Sequence, residues 1–278
     1  MPRIAYQGEP GAFSHEACRR WFPDHEPAPF ALFEQAFDVV AGGACELGMI
    51  PVENSVAGRV SDVHHLLPAS GLRIVGERFL PIQMHLAAPP GTALDDVRTA
   101  ASHAMALAQC RASLKRLGIT PEVAGDTAGA ARLLAADPQP GRAAVASEAA
   151  AALYGLEILA RNLEDDRRNT TRFLVLSAAS AVEPPPFTSR CVTAFTFRVR
   201  NMPAALYKAL GGFATNAVNL TKLESYMEDG AFTATFFYAE VDGRPEDRGL
   251  AMAFDELRFF STHFEVLGVF PADPFRDR

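Results

Sequence analysis

The sequence predicts an α/β chain in two parts: a larger N-terminal region of mixed strands and helices, and a C-terminal unit patterned βαββαβ. Three observations carry this. Short apolar runs alternate with amphipathic stretches through the first 178 residues, the mark of a layered α/β fold with largely parallel sheets. Residues 178–190, AASAVEPPPFTSR, hold three consecutive prolines, which stop helices and central strands and favour an extended spacer. Residues 191–278 then read strand, helix, strand, strand, helix, strand, the ferredoxin-like pattern. A chain of 278 residues accommodates two such parts, since domains run to about 150 residues.

In order, residues 3–7 read as a strand entering a Gly/Pro turn, and 13–21 as a helix. Residues 47–51 form an apolar strand ending in the polar cluster Glu53-Asn54-Ser55; 61–67 are helical and 72–83 strand-like. Helices are predicted over 105–117 and 127–135, a strand over 143–146, a helix over 148–153 and a strand over 171–176. In the C-terminal part, strands are expected at 192–199, 218–226, 232–241 and 264–270. The second and third of them flank a turn at Glu228-Asp229-Gly230. Helices are expected at 204–214, with Pro203 as a first-turn residue, and at 247–260.

Composition excludes several classes of function. With 49% hydrophobic and 21% charged residues the chain is neither disordered nor short of core, and its size needs no disulfide or metal to hold it. A formal net charge of -7 argues against a nucleic-acid partner recruited by a basic field. Cys18, Cys45, Cys110 and Cys191 are scattered and no pair has CxxC spacing, so neither a zinc site nor a disulfide scaffold is predicted. The start MPRIAYQGEPGAF lacks the pattern of a signal peptide, and no apolar run reaches the roughly 18 residues of a membrane span. A cytoplasmic protein with no membrane partner is expected.

Some chemical signals are weak. Gly8 and Gly11 in GEPG read as a turn, since no GK[ST] follows and GxGxxG is absent. Adjacent His64 and His65 point apart on a helix, so they do not make a shared metal site. Glu164-Asp165-Asp166 beside Arg167-Arg168 reads as a solvated charged loop. No GxSxG elbow is present. More telling are polar residues at strand ends and helix starts: Glu53-Asn54-Ser55, Ser102 with Gln109, and Asn169-Thr170-Thr171-Arg172. By residue type alone they serve equally as caps and turn formers.

Four stretches in order, YQGEPGAFSHEA (6–17), GMIPVENSVAGRV (48–60), SHAMALAQC (102–110) and NTTRFLVL (169–176), resemble the successive motifs of prephenate dehydratases. NMPAALYKALGGFATNAVNLTKLES (201–225) is similar to the regulatory ACT domain that follows in that family, itself a βαββαβ unit. The resemblance implies a catalytic region, 1–178, of two lobes like type 2 periplasmic binding proteins: about 1–77 with 165–178, and about 80–161. A linker at 179–190 and an ACT domain at 191–278 complete it. With no chorismate-mutase-like region before Met1, the monofunctional form is expected.

The implied reaction removes a carboxylate and a hydroxyl from prephenate, leaving phenylpyruvate. Aromatisation drives it, so neither a cofactor nor a metal is required. The resemblance assigns activity to Thr171 and the positioning of substrate to Asn54, Ser102 and Gln109. Glu53, Ser55, Ser14 and Arg172 are implied as substrate-binding residues, with Arg172 equally suited to pairing with Glu53. A phenylalanine effector site between two subunits is implied at Ala205, Leu206, Asn219, Leu220, Glu224 and Ser225, with a homodimer or homotetramer as its setting. The chain departs from the family there. Ala204 stands where the GAL motif has glycine, and Tyr226-Met227 where ESRP has arginine and proline. Arogenate dehydration and non-catalytic amino-acid sensing remain open alternatives.

Overall fold

The computed structural model describes residues 1–178, 190–200, 202–227 and 234–277. The proline-rich linker call and the turn at 228–230 lie outside the described residues, as does Asn201. The N-terminal elements are β1 (Arg3–Gln7), α1 (Phe13–Trp21), β2 (Glu26–Phe30), α2 (Phe33–Ala41), β3 (Leu47–Asn54), β4 (Gly58–Arg59), α3 (Ser61–Ala69) and β5 (Leu72–Pro81). Next come β6 (His85–Ala88), β7 (Thr99–His103), α4 (Ala104–Gln109), α5 (Arg111–Leu117), β8 (Thr120–Ala124), α6 (Thr127–Ala136), β9 (Arg142–Ala146), α7 (Glu148–Leu153), β10 (Glu157–Ala160) and β11 (Thr170–Ala178). The C-terminal elements are β12 (Cys191–Val199), α8 (Ala205–Thr215), β13 (Leu220–Met227), β14 (Ala234–Asp242), α9 (Arg248–Phe260) and β15 (Ser261–Pro271).

Among the described residues these strands make three sheets, ordered β2-β1-β3-β11-β5 with β4 on β3, β10-β6-β9-β7-β8, and β13-β14-β12-β15. The expected α/β class with a βαββαβ unit at its end is what the structure has. The chain divides into two compact units, Met1–Leu66 with Arg78–Leu174, and Leu67–Glu77 with Val175–Arg278. The boundaries fall inside α3, β5 and β11.

In the first unit, helix starts use local side chains: Asp126 accepts from Gly129 N at the head of α6, and Ser147 from Ala150 N at the head of α7. The GEPG turn is docked on α7. Ser147 Oγ donates to Gly11 O (2.8 Å), Tyr154 Oη donates to Pro10 O (2.7 Å), and Gly11 has φ +92° with Ala150 Cα 2.9 Å from where a Cβ would sit. Only glycine fits that approach.

In the second unit, α8 and α9 cover one face of the four-stranded sheet through a buried phenylalanine cluster. In it Phe195 meets Phe254 at 5.0 Å between ring centroids, with Phe197, Phe213 and Phe237 around them. The strand order is that of a ferredoxin-like βαββαβ unit, with the first and third strands central. The segment Leu67–Glu77 is held by the chain end. Arg276 donates to both oxygens of the fully buried Glu77 (2.6 and 2.9 Å) and to Glu240 (2.7 Å). Gly268 lies so close to Ile74 O that a Cβ would sit 2.2 Å away.

Several expectations are corrected. The sheets are mixed rather than largely parallel: β6 runs antiparallel to β9 and β10, while β7 is parallel to β8 and β9. The helix over 105–117 is two helices, because Asp165 breaks it. Its N–H takes the Gln109 carbonyl (2.7 Å) and its carboxylate takes Ala112 N–H (3.0 Å), the groups that would have continued the ladder. Pro203 lies before α8, not in its first turn; Ala204, with φ +61°, separates them. β2 is an unpredicted strand, since EPAPF carries two prolines. It occupies a sheet edge, where their missing N–H groups leave no ladder bond unmade.

Candidate active site

The site grows from the junction of two neighbouring strands. β3 buries Met49, Ile50 and Val52 and delivers Glu53 and Asn54 at its carboxyl end, where ligands collect in α/β sheets. β11 starts beside it. Ser55 staples the two: its N–H donates to Thr170 O (2.9 Å), its hydroxyl accepts from Thr170 N (3.0 Å) and donates to Arg168 O (2.9 Å). This brings Asn54 against residues 115 and 117 positions later in the chain. Asn54 Nδ2 donates to Asn169 Oδ1 (2.7 Å) and to Thr171 Oγ1 (2.9 Å), while Asn54 Oδ1 accepts from Val56 N (3.0 Å) and Ala57 N (2.8 Å).

The second element is α4. Its last residue, Gln109, accepts at Oε1 from Asn169 Nδ2 (2.8 Å), and the Asp165 break holds that end of the helix in place. Gln109 and Asn169 line a cavity of about 260 Å³ with Val56, Met105, Ala108, Glu164, Asp165 and Asp166. The charged run 164–168 is a loop as its composition suggests, with Asp165, Arg167 and Arg168 exposed, but Glu164 departs from that reading. Glu164 is buried and accepts from Met84 N (2.9 Å), and Asp165 caps α5. Asp166 is half-buried beside Arg168, whose hydrogen bonds hold its carboxyl down at about 2. Burial, with Glu164 and Asp165 nearby, pushes the Cys110 thiol up to about 12.

Arg172, nearly buried, pairs with Glu53 at 3.0 Å, joining β11 to β3 one residue from Thr171. Ser102 is not joined to the network among the described residues; it is fully buried and its hydroxyl donates to Val145 O (2.7 Å). Ser14 is buried in α1, also with no side-chain bond to the network among the described residues. Asn169 and Asp165 are named in the sequence only as part of a polar cluster and of a charged loop, with no site role assigned to either. Asn169 has a signal, its place in NTTRF two residues before Thr171; Asp165 has none. Among the described residues no cluster of His, Cys, Asp and Glu could hold a metal, and no helix is long and apolar enough to cross a membrane.

The residues expected at an effector site lie in the second unit. Ala205 and Leu206 open α8, and Leu206 packs on the same core as Leu220 at the start of β13. Asn219 donates to Asp242 (2.8 Å), Glu224 pairs with Lys222 (2.9 Å), and Ser225 is exposed on β13.

Asn54, Asn169, Thr171 and Gln109 form a network of neutral hydrogen-bonding groups at fixed positions, with the carboxylates of Glu164, Asp165 and Asp166 along the cavity beside it. Such a site suits a reaction that needs positioning and help for a departing oxygen. The sequence model of the family described as prephenate dehydratase matches residues 4–181. The chain belongs to the prephenate dehydratase family. A bifunctional N-acyl-homoserine lactone acylase/prephenate dehydratase from Komagataeibacter europaeus is 50% identical over 273 residues, which cover 98% of this chain and 97% of that one. Arogenate dehydratase/prephenate dehydratase 2 from Arabidopsis thaliana is 37% identical over 98% of this chain and 73% of its own. The structure of a prephenate dehydratase from Arthrobacter aurescens in complex with L-Phe superposes with a TM-score of 0.88, at 29% identity, over 97% of this chain and 90% of that one.

Proposed function

We propose that this family member converts prephenate to phenylpyruvate, with Thr171 donating a hydrogen bond to the departing hydroxyl or relaying to it a proton taken from solvent. The observation that carries the reading is the Asn54 Nδ2–Thr171 Oγ1 bond of 2.9 Å. It occupies an oxygen lone pair and leaves the hydroxyl proton to point elsewhere. In the reaction the ring carboxylate leaves as CO2, its bonding pair enters the ring, and the para hydroxyl takes one proton and leaves as water. Asn54 and Gln109 orient the substrate through fixed amide dipoles. Glu53, Ser55 and Arg172 hold the β3–β11 junction that carries them, and Ser102 and Ser14 support the walls. The catalytic region is 1–178.

The C-terminal unit is proposed as an ACT regulatory domain on a cytoplasmic homodimer or homotetramer, with phenylalanine as effector. Its βαββαβ order and the L-Phe bound in the Arthrobacter structure support this. The acylase half of the Komagataeibacter protein's name finds no support from the thiols, since Cys18, Cys45 and Cys110 are buried and burial pushes all three upward.

The test incubates the purified protein with prephenate or arogenate, in chelator, with and without phenylalanine. Phenylpyruvate from prephenate is expected, and phenylalanine should change the rate. Phenylalanine formed from arogenate alone would move the assignment to that substrate, and no turnover of either would overturn the enzyme reading.

A further inference from the structure

We infer that Asn169 is a positioning residue that relays to Gln109 the amide orientation fixed at Asn54, so that Gln109 turns its Nε2 hydrogens, as Thr171 turns its hydroxyl proton, toward the substrate. The inference rests on the proposed dehydration and adds a residue to it. Its starting point is the pair of backbone N–H groups of Val56 and Ala57, which can only donate. Both point at Asn54 Oδ1, at 3.0 and 2.8 Å, so the Asn54 amide has one orientation. Its two Nδ2 hydrogens are then committed to Thr171 Oγ1 and Asn169 Oδ1.

With Oδ1 turned to Asn54, Asn169 offers Nδ2 to Gln109, whose Oε1 accepts at 2.8 Å. Gln109 is left with Nε2 and its two hydrogens for anything else that enters. Thr171 is left with its hydroxyl proton. Among the described residues neither group has another acceptor. A chain of three amides thus transmits the direction fixed by two backbone N–H groups to the two side chains that end it.

Asn169 itself is 1% exposed and its side chain is bonded to Asn54 and Gln109, so it acts on a ligand through the orientation of its neighbours. Its backbone is fixed as well: Asn169 O accepts from Ile82 N (2.8 Å) and Asn169 N donates to Asp166 O (3.2 Å). A substrate carrying two carboxylates and a leaving hydroxyl needs donors on all sides, and one reversed amide would present an oxygen to an anion.

The test compares wild type with Asn169→Asp and Asn169→Leu on prephenate, reading kcat and KM separately. A carboxylate at 169 still accepts from Asn54 and so preserves Thr171, but it forces Gln109 to turn its nitrogen inward and its oxygen outward. Asn169→Asp should therefore keep kcat within about fivefold and raise KM about tenfold or more, whereas Asn169→Leu should lower kcat about a hundredfold.

The same Asp change made on Gln109→Ala should bring no further rise in KM, because the group it reverses is gone. A KM rise that persists without Gln109 would mean that the added charge acts directly, and would overturn the inference; so would Asp and Leu variants that behave alike. If Asn169→Leu does not fold, the Asn169→Asp and Gln109→Ala cycle decides by itself. A wild type inert to both prephenate and arogenate overturns the function reading and the inference together, while an active wild type with either failed pattern overturns the inference alone.

Discussion

Ala204 shows how a single backbone angle explains a departure from a family motif. It stands where the resembling motif carries glycine, and its φ of +61° lies in the left-handed region that a Cβ disfavours. The replaced glycine thus answers a conformational need at the entrance of α8, beyond any close approach by a ligand. Ala204→Gly should stabilise the protein by about 1 kcal/mol, the usual cost of a left-handed alanine. Thermal unfolding checks this, and an unchanged or lower Tm would contradict it. Thr171, Asn54 and Gln109 were legible in the motifs, because each sits in a distinctive run. Asn169 was legible only as a member of NTTRF; its part in the network depends on Asn54, 115 residues earlier. Asp165 was invisible, since its effect is to end a helix 53 residues away.

At the scale of elements, helices α1 and α7 have the bounds their patterns predict, because apolar spacing and local end signals suffice for them. β2 and the α4–α5 break escaped because each is decided by a partner distant in sequence. Two docked loops make the elements sensitive to pH. His15 Nδ1 accepts from Gly11 N and His85 Nδ1 accepts from Asn162 N, so each ring is held neutral at that nitrogen. Burial first, then Arg19 beside His15 and Arg161 beside His85, lower both rings below the usual 6.5. Above that value both states are neutral and the contribution is complete. As pH falls through it the unfolded chain takes up protons that the folded one refuses, so stability is lost toward the lowered folded values. Tm should fall between pH 7.5 and 5.5. His85→Gln, which keeps an acceptor for Asn162 N–H without titrating, should flatten the slope; an equal slope in that variant would contradict the account.

Taken whole, a chain of net charge -7 has no general attraction for the dianion proposed as its substrate, so the proposed recognition rests on local donors rather than a surface field. That places the burden on the β3–β11 junction and on the amides that orient it. Within the C-terminal unit the half-buried Arg276 holds the buried Glu77 of the segment Leu67–Glu77, a pair that no motif announced. The central claim, a dehydratase whose Thr171 hydroxyl assists the leaving group, is tested most directly by the turnover of prephenate in Thr171→Ala and Thr171→Ser beside wild type, each checked for an unchanged melting temperature. The account predicts that Ala lowers kcat by roughly two to four orders of magnitude while Ser retains most of it, the range for losing a positioned proton donor. Ala and Ser variants with equal turnover would contradict it.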